Sequence, residues 1–345
     1  MITDLPEWDE HEGVHFLSDV ASGLRAIVAV HSTHLGPGGG GTRLWTYPDE
    51  TAAVRDALRL SRAMSYKNAM AGLELGGGKG VILKPEGEFD RTALFRAYGR
   101  ALEACGGTYK TAEDVGVGTD DMDTIALETS HVAGVSVGPN AGGDPSPWTA
   151  LGIFLGMKAT AERVFGTDNF EGRTVAVQGL GSVGYYLAEH LAEAGATLLV
   201  ADIDAEAVAR AERELHATAV PPERIHAAEA DIFAPCALSH AVSAETVNAI
   251  QAHIVAGGAN NQVESEAIAR RLHERGILLA PDYVLNAGGI INVASELSGS
   301  YSAAWTEAKV REIPDTLREV FGRAEAEGEP PGVVADRMAR ERIGR

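Results

Sequence analysis

An apolar, strand-like run, Thr174–Gln178, leads straight into Gly179-Leu180-Gly181-Ser182-Val183-Gly184, and a helical pattern opens there. Few folds place three glycines in G-x-G-x-x-G spacing between a strand and a helix. Gly179 permits the tight turn, Gly181 lets backbone approach a pyrophosphate, and Gly184 lets helix and strand pack closely. The helix N-terminus then favours the phosphate charge. The predicted helix, 181–194, carries Val183, Leu187, His190/Leu191 and Ala194 on its apolar face and closes at Gly195. The following strand ends at Asp202, 23 residues after Gly179, where an acid can meet the adenosine ribose hydroxyls. The spacing alone is a weak signal and could mark an unliganded turn; strand, helix and acid in register make it a dinucleotide site. Its expected residues are Gly179, Gly181, Ser182, Val183, Gly184 and Asp202. The Asp202 carboxylate would repel a 2′-phosphate, and Ile203-Asp204-Ala205 bring no arginine to receive one, so NAD is favoured over NADP.

Around this unit the pattern alternates. Strands are expected at 174–178, 197–201, 232–234, 254–256 and 277–280 with helices between them, which argues for a parallel sheet with crossover helices. The first third reads as mixed: a strand at 24–31, an amphipathic helix over 49–65 with Ala53, Ala57, Leu60 and Met64 on one face, a short strand at 81–83, a helix over 92–104 and a strand at 108–111. The turn-rich GGDPSP at 142–147 reads as a junction, and the charged stretch 307–345 as helical. The expected fold is α/β with two domains separated by a cleft, bounded at 1–140 and 141–310, and a helical tail over 311–345 that packs back on the first domain. The 345 residues suit two domains of ordinary size.

Charge and cysteine content close off other classes. Lys+Arg 29 against Asp+Glu 49 leaves a net −20, unsuited to a phosphate backbone or an anionic membrane surface. Cys105 and Cys236 make no disulfide framework or metal cluster and read as small buried apolar residues. The acidic start MITDLPEWDEHEG lacks the basic end and apolar run of a signal peptide, and no apolar run nears the roughly 20 residues of a membrane span. A soluble cytoplasmic protein with no nucleic-acid or membrane partner is expected.

Glycines gather at 36–41, 76–80, 257–258 and 288–289 as well, in short clusters where backbone must turn or come close to something. Lys67 and Lys79 flank one of these, in YKNAMAGLELGGGKG, with Lys79 read as emerging from a glycine-rich loop. They are two of only six lysines, which counts against plain solvated side chains. Glu113-Asp114 precede VGVG at a strand end, where a carboxylate can carry protons or simply cap a turn.

At these residues the chain resembles the glutamate, leucine, phenylalanine and valine dehydrogenase family. The similarity runs from about residue 24 to 342 through LGPGGGGTRLW, SYKNAMAGLELGGGKGVI, TAEDVGVGTDDMD, GDPSPWTALG, VAVQGLGSVG, DIFAPCAL, GGANNQ and APDYVLNAGGIINVASEL, in order. The resemblance implies that 1–140 binds substrate and forms the oligomer contacts, that 141–310 is a Rossmann-type NAD domain, and that the cleft opens and closes on hinges near 142–147 and after Asn286. It implies that Lys67 holds the substrate α-carboxylate. Lys79 would be the catalytic lysine, its pKa lowered by neighbouring cations or glycine-turn dipoles, and Asp114 would exchange protons with the amino group. Asn261 and Asn286 would line the site near amine and nicotinamide, Thr149 would contact the nicotinamide amide, and Asn260 would join the cofactor residues. Gly39, Gly40, Met64, Ala112, Ile290 and Val293 would form the side-chain pocket. No metal is implied.

The implied reaction removes a hydride from the amino acid's α-carbon to NAD; water activated by Lys79 adds to the imine, and collapse gives a 2-oxo acid and ammonia. The glutamate-specific relatives place a lysine near Gly39 and a serine at the position of Val293; here neither is present, so glutamate would bury an unpaired charge. Leucine-type relatives carry a bulkier residue at Gly39, and its loss should deepen the pocket, whereas Ala112, Ile290 and Val293 match the branched-aliphatic type. Leucine and its branched relatives are favoured, with phenylalanine next. A homo-oligomer is implied. The rivals are a dehydrogenase of 2-hydroxy acids, which would need a His–acid pair and a clamping Arg, and an NAD-binding sensor, which would not need Lys67, Lys79 and Asp114 together.

Overall fold

A run that is apolar at every position has to be covered on both sides, and residues 26–30 are. In the computed structural model, which describes residues 1–237 and 239–345, they lie in the first of two compact units, Met1–Gly143 with Ile290–Trp305 and Ala339–Arg345. Its five strands are β1 (Gly13–Asp19), β2 (Leu24–Ser32), β3 (Gly38–Trp45), β4 (Gly76–Leu83) and β5 (Tyr109–Ala112), in the order β1-β2-β4-β3-β5. β2 pairs antiparallel with both β1 and β4, whereas β3 pairs parallel with both β4 and β5. Ile27, Ala29 and Val81 pack on Ala53, Val54, Ala57 and Leu58 of α1 (Glu50–Met70). The opposite face, with Ala26, Val28, Val30 and Ile82, packs on Leu94, Phe95, Tyr98 and Leu102 of α2 (Arg91–Ala104) and on Met122 and Ile125 of α3 (Thr119–Ala126).

Two expectations change here. The helix predicted over 49–65 continues to Met70, because nothing breaks it before Gly72 at φ +63°, and Lys67 sits in its last turn. Its fully buried stripe runs through Ala53, Ala57, Ser61 and Ser65, leaving Leu60 and Met64 half-buried. The GGGKG segment is not a loop: β4 begins at Gly76, and Lys79 is a mid-strand residue paired with Ala29 of β2. Glycine is needed in that strand for contact, since a Cβ on Gly77 would strike Ser61 and Ser65 of α1. β3, unforeseen as a strand, uses its glycines likewise: a Cβ on Gly41 would lie 2.9 Å from Asp114 Cβ. The Tyr109 hydroxyl accepts from Gly80 N at 2.9 Å and donates toward the carbonyls of Gly40 and Gly41, binding β3 to β4 beside Lys79.

Beneath β2 lies a buried polar knot. Arg345 donates to the His31 carbonyl and to His31 Nε2, both at 2.8 Å, and His31 Nδ1 lies 2.8 Å from Ser65 Oγ. Because a guanidinium only donates, Nε2 must accept and Nδ1 carries the proton. Burial, then Arg345 and His11, push His31 down to about 3, with Asp9 opposing. The unfolded chain therefore binds a proton that the folded one refuses between pH 6.5 and about 3. His31 alone is expected to lower stability by ~1.4 kcal/mol per pH unit as pH falls through that window. Urea unfolding from pH 7 to 4 checks this: His31→Gln should flatten the slope, and an unchanged slope would remove His31 as its source.

The second unit comprises Asp144–Gly289 and Thr306–Met338. It holds α4 (Ser146–Phe165), β6 (Thr174–Gln178), α5 (Ser182–Glu193), β7 (Thr197–Ala201), α6 (Ala205–Leu215), β8 (Thr218–Ala219), β9 (Ile232–Pro235), β10 (Ile254–Val255), α7 (Glu266–Glu274), β11 (Leu278–Leu279) and α8 (Asp282–Leu285). Beyond α8 come α9 (Gly288–Leu297), α10 (Ala303–Val310), α11 (Ile313–Glu327) and α12 (Pro331–Arg342). The six strands are all parallel, in the order β11-β10-β9-β6-β7-β8. Counted from β6, that is the 3-2-1-4-5-6 order of a doubly wound dinucleotide-binding sheet, whose switch point lies between β6 and β9. The two-residue β8 was not foreseen, and the strand expected at 277–280 shortens to Leu278–Leu279. On α5 the buried face is Gly184, Leu187, Ala188 and Leu191, with Val183, His190 and Ala194 half-buried.

Cys105 and Cys236 are free and half-buried rather than enclosed. The expected DIFAPCAL motif ends on Leu238, which lies outside the described residues. No described helix is long and apolar enough to cross a membrane.

Candidate active site

β4 and β5 bring the first unit's charged pair together. Lys79 Nζ lies 3.0 Å from Asp114 Oδ2, with the side chains 5% and 23% exposed. Burial pushes the Lys79 ammonium below the usual lysine range; Asp114 opposes and Arg43 adds to the lowering. The expectation that cations lower it holds in part, but burial leads, and the glycine-turn dipoles fall away with the loop. For Asp114 burial works against the charge, yet Lys79 and Arg43 outweigh it and hold the carboxyl below its ordinary range. The lysine therefore gives up its proton more readily, and the aspartate takes one less readily, than either free side chain.

The other residues read from the first unit are buried or half-buried. Lys67 is half-buried, and its neighbour Asn68, fully buried, donates to the carbonyls of Gly39 (3.3 Å) and Gly76 (2.5 Å). A Cβ on Gly39 would meet Leu75 Cδ1 at 3.1 Å and Asn68 Nδ2 at 3.5 Å, so Leu75 already fills part of the space a bulkier residue would take. A Cβ on Gly40 would meet the Gly78 carbonyl and, at 3.1 Å, Met64 Cγ. Ala112 and Ile290 are buried and Val293 is half-buried.

In the second unit Gly179 takes φ +98°, and a Cβ on Gly184 would strike the Gly179 carbonyl. Gly181 has nothing within 4 Å of its Cβ position. An open glycine at the N-terminus of α5, with Ser182 and Val183 opening the helix, is the cradle a pyrophosphate requires. Asp202 accepts from Leu180 N at 2.5 Å and from Asp204 N at 2.8 Å, which anchors its carboxylate beside the glycine turn. The residues therefore fit a dinucleotide. Asn286 Nδ2 donates to Asn260 Oδ1 (3.0 Å) and to the Gly258 carbonyl (3.1 Å), while its buried Oδ1 has no partner. Asn260 rather than Asn261 meets Asn286; Asn261 is exposed at φ +52°. Thr149 Oγ1 donates to the Pro145 carbonyl at 3.0 Å.

Sequence reasoning missed Arg43. Its Nε donates to Asp114 Oδ2 at 2.8 Å and its Nη1 to Asp56 Oδ2 at 2.9 Å, and Tyr47 Oη donates to that same Asp56 oxygen at 2.7 Å. The partners are 71 and 13 residues away, so no spacing betrays them; the signal available was an arginine directly after the glycines of GGGGTR. Glu296 was missed too. It accepts from Gly134 N (2.6 Å), Gly142 N (3.0 Å) and Asn292 (3.1 Å), and burial raises its pKa.

A sheet in dinucleotide-binding order and a buried lysine–aspartate pair are the parts of a dinucleotide-dependent oxidoreductase. The model of the Glu/Leu/Phe/Val dehydrogenase dimerisation domain matches residues 12–131, and that of the Glutamate/Leucine/Phenylalanine/Valine dehydrogenase domain matches 144–327. The chain belongs to this family. It is 50% identical to the leucine dehydrogenase of Bacillus cereus, covering 97% of this chain and 91% of that one. It is 45% identical to the valine dehydrogenase of Streptomyces albus, covering 96% and 92%. The crystal structure of L-tryptophan dehydrogenase from Nostoc punctiforme superposes with a TM-score of 0.87 at 42% identity, covering 97% of this chain and 96% of that one.

Proposed function

We propose that the protein catalyses the reversible, NAD-dependent oxidative deamination of an apolar L-amino acid to the 2-oxo acid and ammonia, with leucine and other branched aliphatics first and phenylalanine next. The observation that carries this reading is the 3.0 Å contact between Lys79 and Asp114. Lys67 binds the substrate carboxylate. Asp114 takes a proton from the substrate ammonium, leaving an amine able to push electrons toward the imine. When bound, NAD supplies the hydride acceptor; Gly179, Gly181, Ser182, Val183, Gly184, Asp202, Thr149 and Asn260 would hold it. Neutral Lys79 takes a proton from the water that adds to the imine carbon and passes it to solvent; Asp114 returns its proton to the nitrogen, and Lys79 takes the hydroxyl proton as the C–N bond breaks and ammonia leaves.

The anchored carboxylate of Asp202 supports NAD, because a 2′-phosphate would meet it without a counter-charge. The side chain at Gly39 would face Leu75 and the Asn68 amide, neither of them a cation, which supports an uncharged substrate. The names of the leucine and valine dehydrogenases support the aliphatic choice, and the tryptophan dehydrogenase keeps aromatic substrates in the panel. A homo-oligomer is part of the reading, supported by the dimerisation-domain match.

NADH absorbance at alkaline pH tests it with leucine, valine, phenylalanine, tryptophan, glutamate and lactate. Leucine is expected to exceed glutamate by about 10²-fold or more in kcat/KM, since a buried unpaired carboxylate is so costly. NADP should give little turnover. Faster turnover on glutamate or lactate would overturn the substrate class, and a preference for NADP would overturn the role of Asp202.

A further inference from the structure

The two oxygens of Asp114 are used unequally. Lys79 Nζ (3.0 Å) and Arg43 Nε (2.8 Å) both address Oδ2, and no other described group donates to Oδ1. Arg43 is itself fixed at its far end by Asp56, which is held in turn by Tyr47 (2.7 Å) and Arg59 (2.7 Å). The guanidinium is thus a strut from α1 across β3 to the carboxylate, and a permanent cation on Asp114. A lysine would restore the charge but not the geometry: an ammonium is a point donor, whereas the planar fork reaches two carboxylates at once.

We propose that Arg43 is a positioning residue that separates the charge states of Lys79 and Asp114, keeping Asp114 ionised with Oδ1 turned to the substrate amine while leaving Lys79 free to give up its proton. The inference rests on the reaction proposed above. A lysine paired alone with an aspartate would keep its proton, because the carboxylate's whole charge would fall on it. Arg43 shares that charge and repels the ammonium, so base and carboxylate can coexist as neutral amine and anion. Lys79 on β4 and Arg43 on β3 act on Asp114, Arg43 and Asp56 of α1 act on Lys79, Tyr47 and Arg59 act on Asp56, and Tyr109 on β5 faces Asp114. Of these Tyr109 is pushed up to about 12 by burial and stays neutral, and Asp56 is held low despite burial by Tyr47 and its arginines. Among these groups Arg43 is the one whose removal shifts Lys79 and Asp114 upward together.

The test compares wild type, Arg43→Gln and Arg43→Lys by the pH profile of kcat/KM for leucine deamination, alongside the pH dependence of Lys79 carbamylation by cyanate, read by peptide mass spectrometry. In Arg43→Gln the acid limb is expected to move about one pH unit or more to the alkaline side, with about a tenfold loss of kcat/KM below it. Carbamylation of Lys79 should shift the same way, because cyanate reacts only with the neutral amine. Arg43→Lys should restore the limb, since it restores the charge, while kcat stays lowered by the lost fork. Equal loss at every pH, with the limb and the carbamylation midpoint unmoved, would mean that Arg43 only packs the site and would overturn the proposal. If the wild type turns over no amino acid, the reaction assigned above fails, and the carbamylation midpoints still decide what Arg43 does to Lys79.

Discussion

Asp114→Asn and Lys79→Ala are each expected to lower kcat for deamination by about 10²–10⁴-fold, the range for losing a positioned proton carrier. The two should fail differently. Asparagine keeps the shape of Asp114 and its contact with Arg43 but cannot take a proton from the substrate amine, so its loss should persist at all pH values. Lys79→Ala removes the base that activates water; because Lys79 is buried against β2 and the pair is desolvated, bulk water cannot stand in for it. The glycine turn after β6 is untouched in both variants, so NAD should bind with its wild-type affinity in a fluorescence titration. Turnover within tenfold of wild type in either variant would remove that residue from the chemistry.

Gly181→Ala and Gly184→Ala should divide along a line that their shared motif hides. Gly184 packs so close to the Gly179 carbonyl that a methyl group must displace backbone, with Cys236 Cβ 3.3 Å behind it. Overpacking of this kind costs about 1–3 kcal/mol or more, so Gly184→Ala should lower the thermal midpoint by several degrees even without cofactor. Gly181 has φ −63° and nothing within 4 Å of its Cβ position, so its alanine variant should fold almost unchanged. There the methyl group occupies the space through which a pyrophosphate reaches the N-terminus of α5. An affinity loss of at least about tenfold is expected, equal to ~1.4 kcal/mol. Calorimetry of NAD binding and thermal melts of both variants separate the cases. A destabilised Gly181→Ala, or one that binds NAD normally, would refute the assignment of that glycine to the cradle.

Much of the second unit was legible because its signals are local. Strand, glycine turn and helix follow one another within Thr174–Gln178 and Ser182–Glu193, and each glycine's duty depends on neighbours a few residues away. The first unit was harder. Its glycines announced close approach, but the alternation of a strand cannot be seen where four successive residues lack side chains, so Gly38–Gly41 gave no sign of β3 and GGGKG looked like a loop. The helix ending at Met70 was cut short for a related reason: Ser65, Tyr66 and Asn68 break an apolar period, yet they are buried because they face the bare backbone of β4 and the polar knot at His31.

The family motifs in the chain singled out Lys67, Lys79, Asp114 and the cofactor glycines, since residue type and immediate context were enough to mark them. What the chain alone could not state is which charges meet. Asp114 shares one oxygen between Lys79 and Arg43, Arg43 reaches back to Asp56, and Asn286 finds Asn260. These pairings span 13 to 71 residues of sequence and leave no periodic trace. Short-range sterics and periodicity write secondary structure and turns into the sequence itself. The protonation states on which the chemistry depends arise only when folding buries a lysine, an aspartate and an arginine within 3.0 Å contacts of one another and makes burial and charge compete.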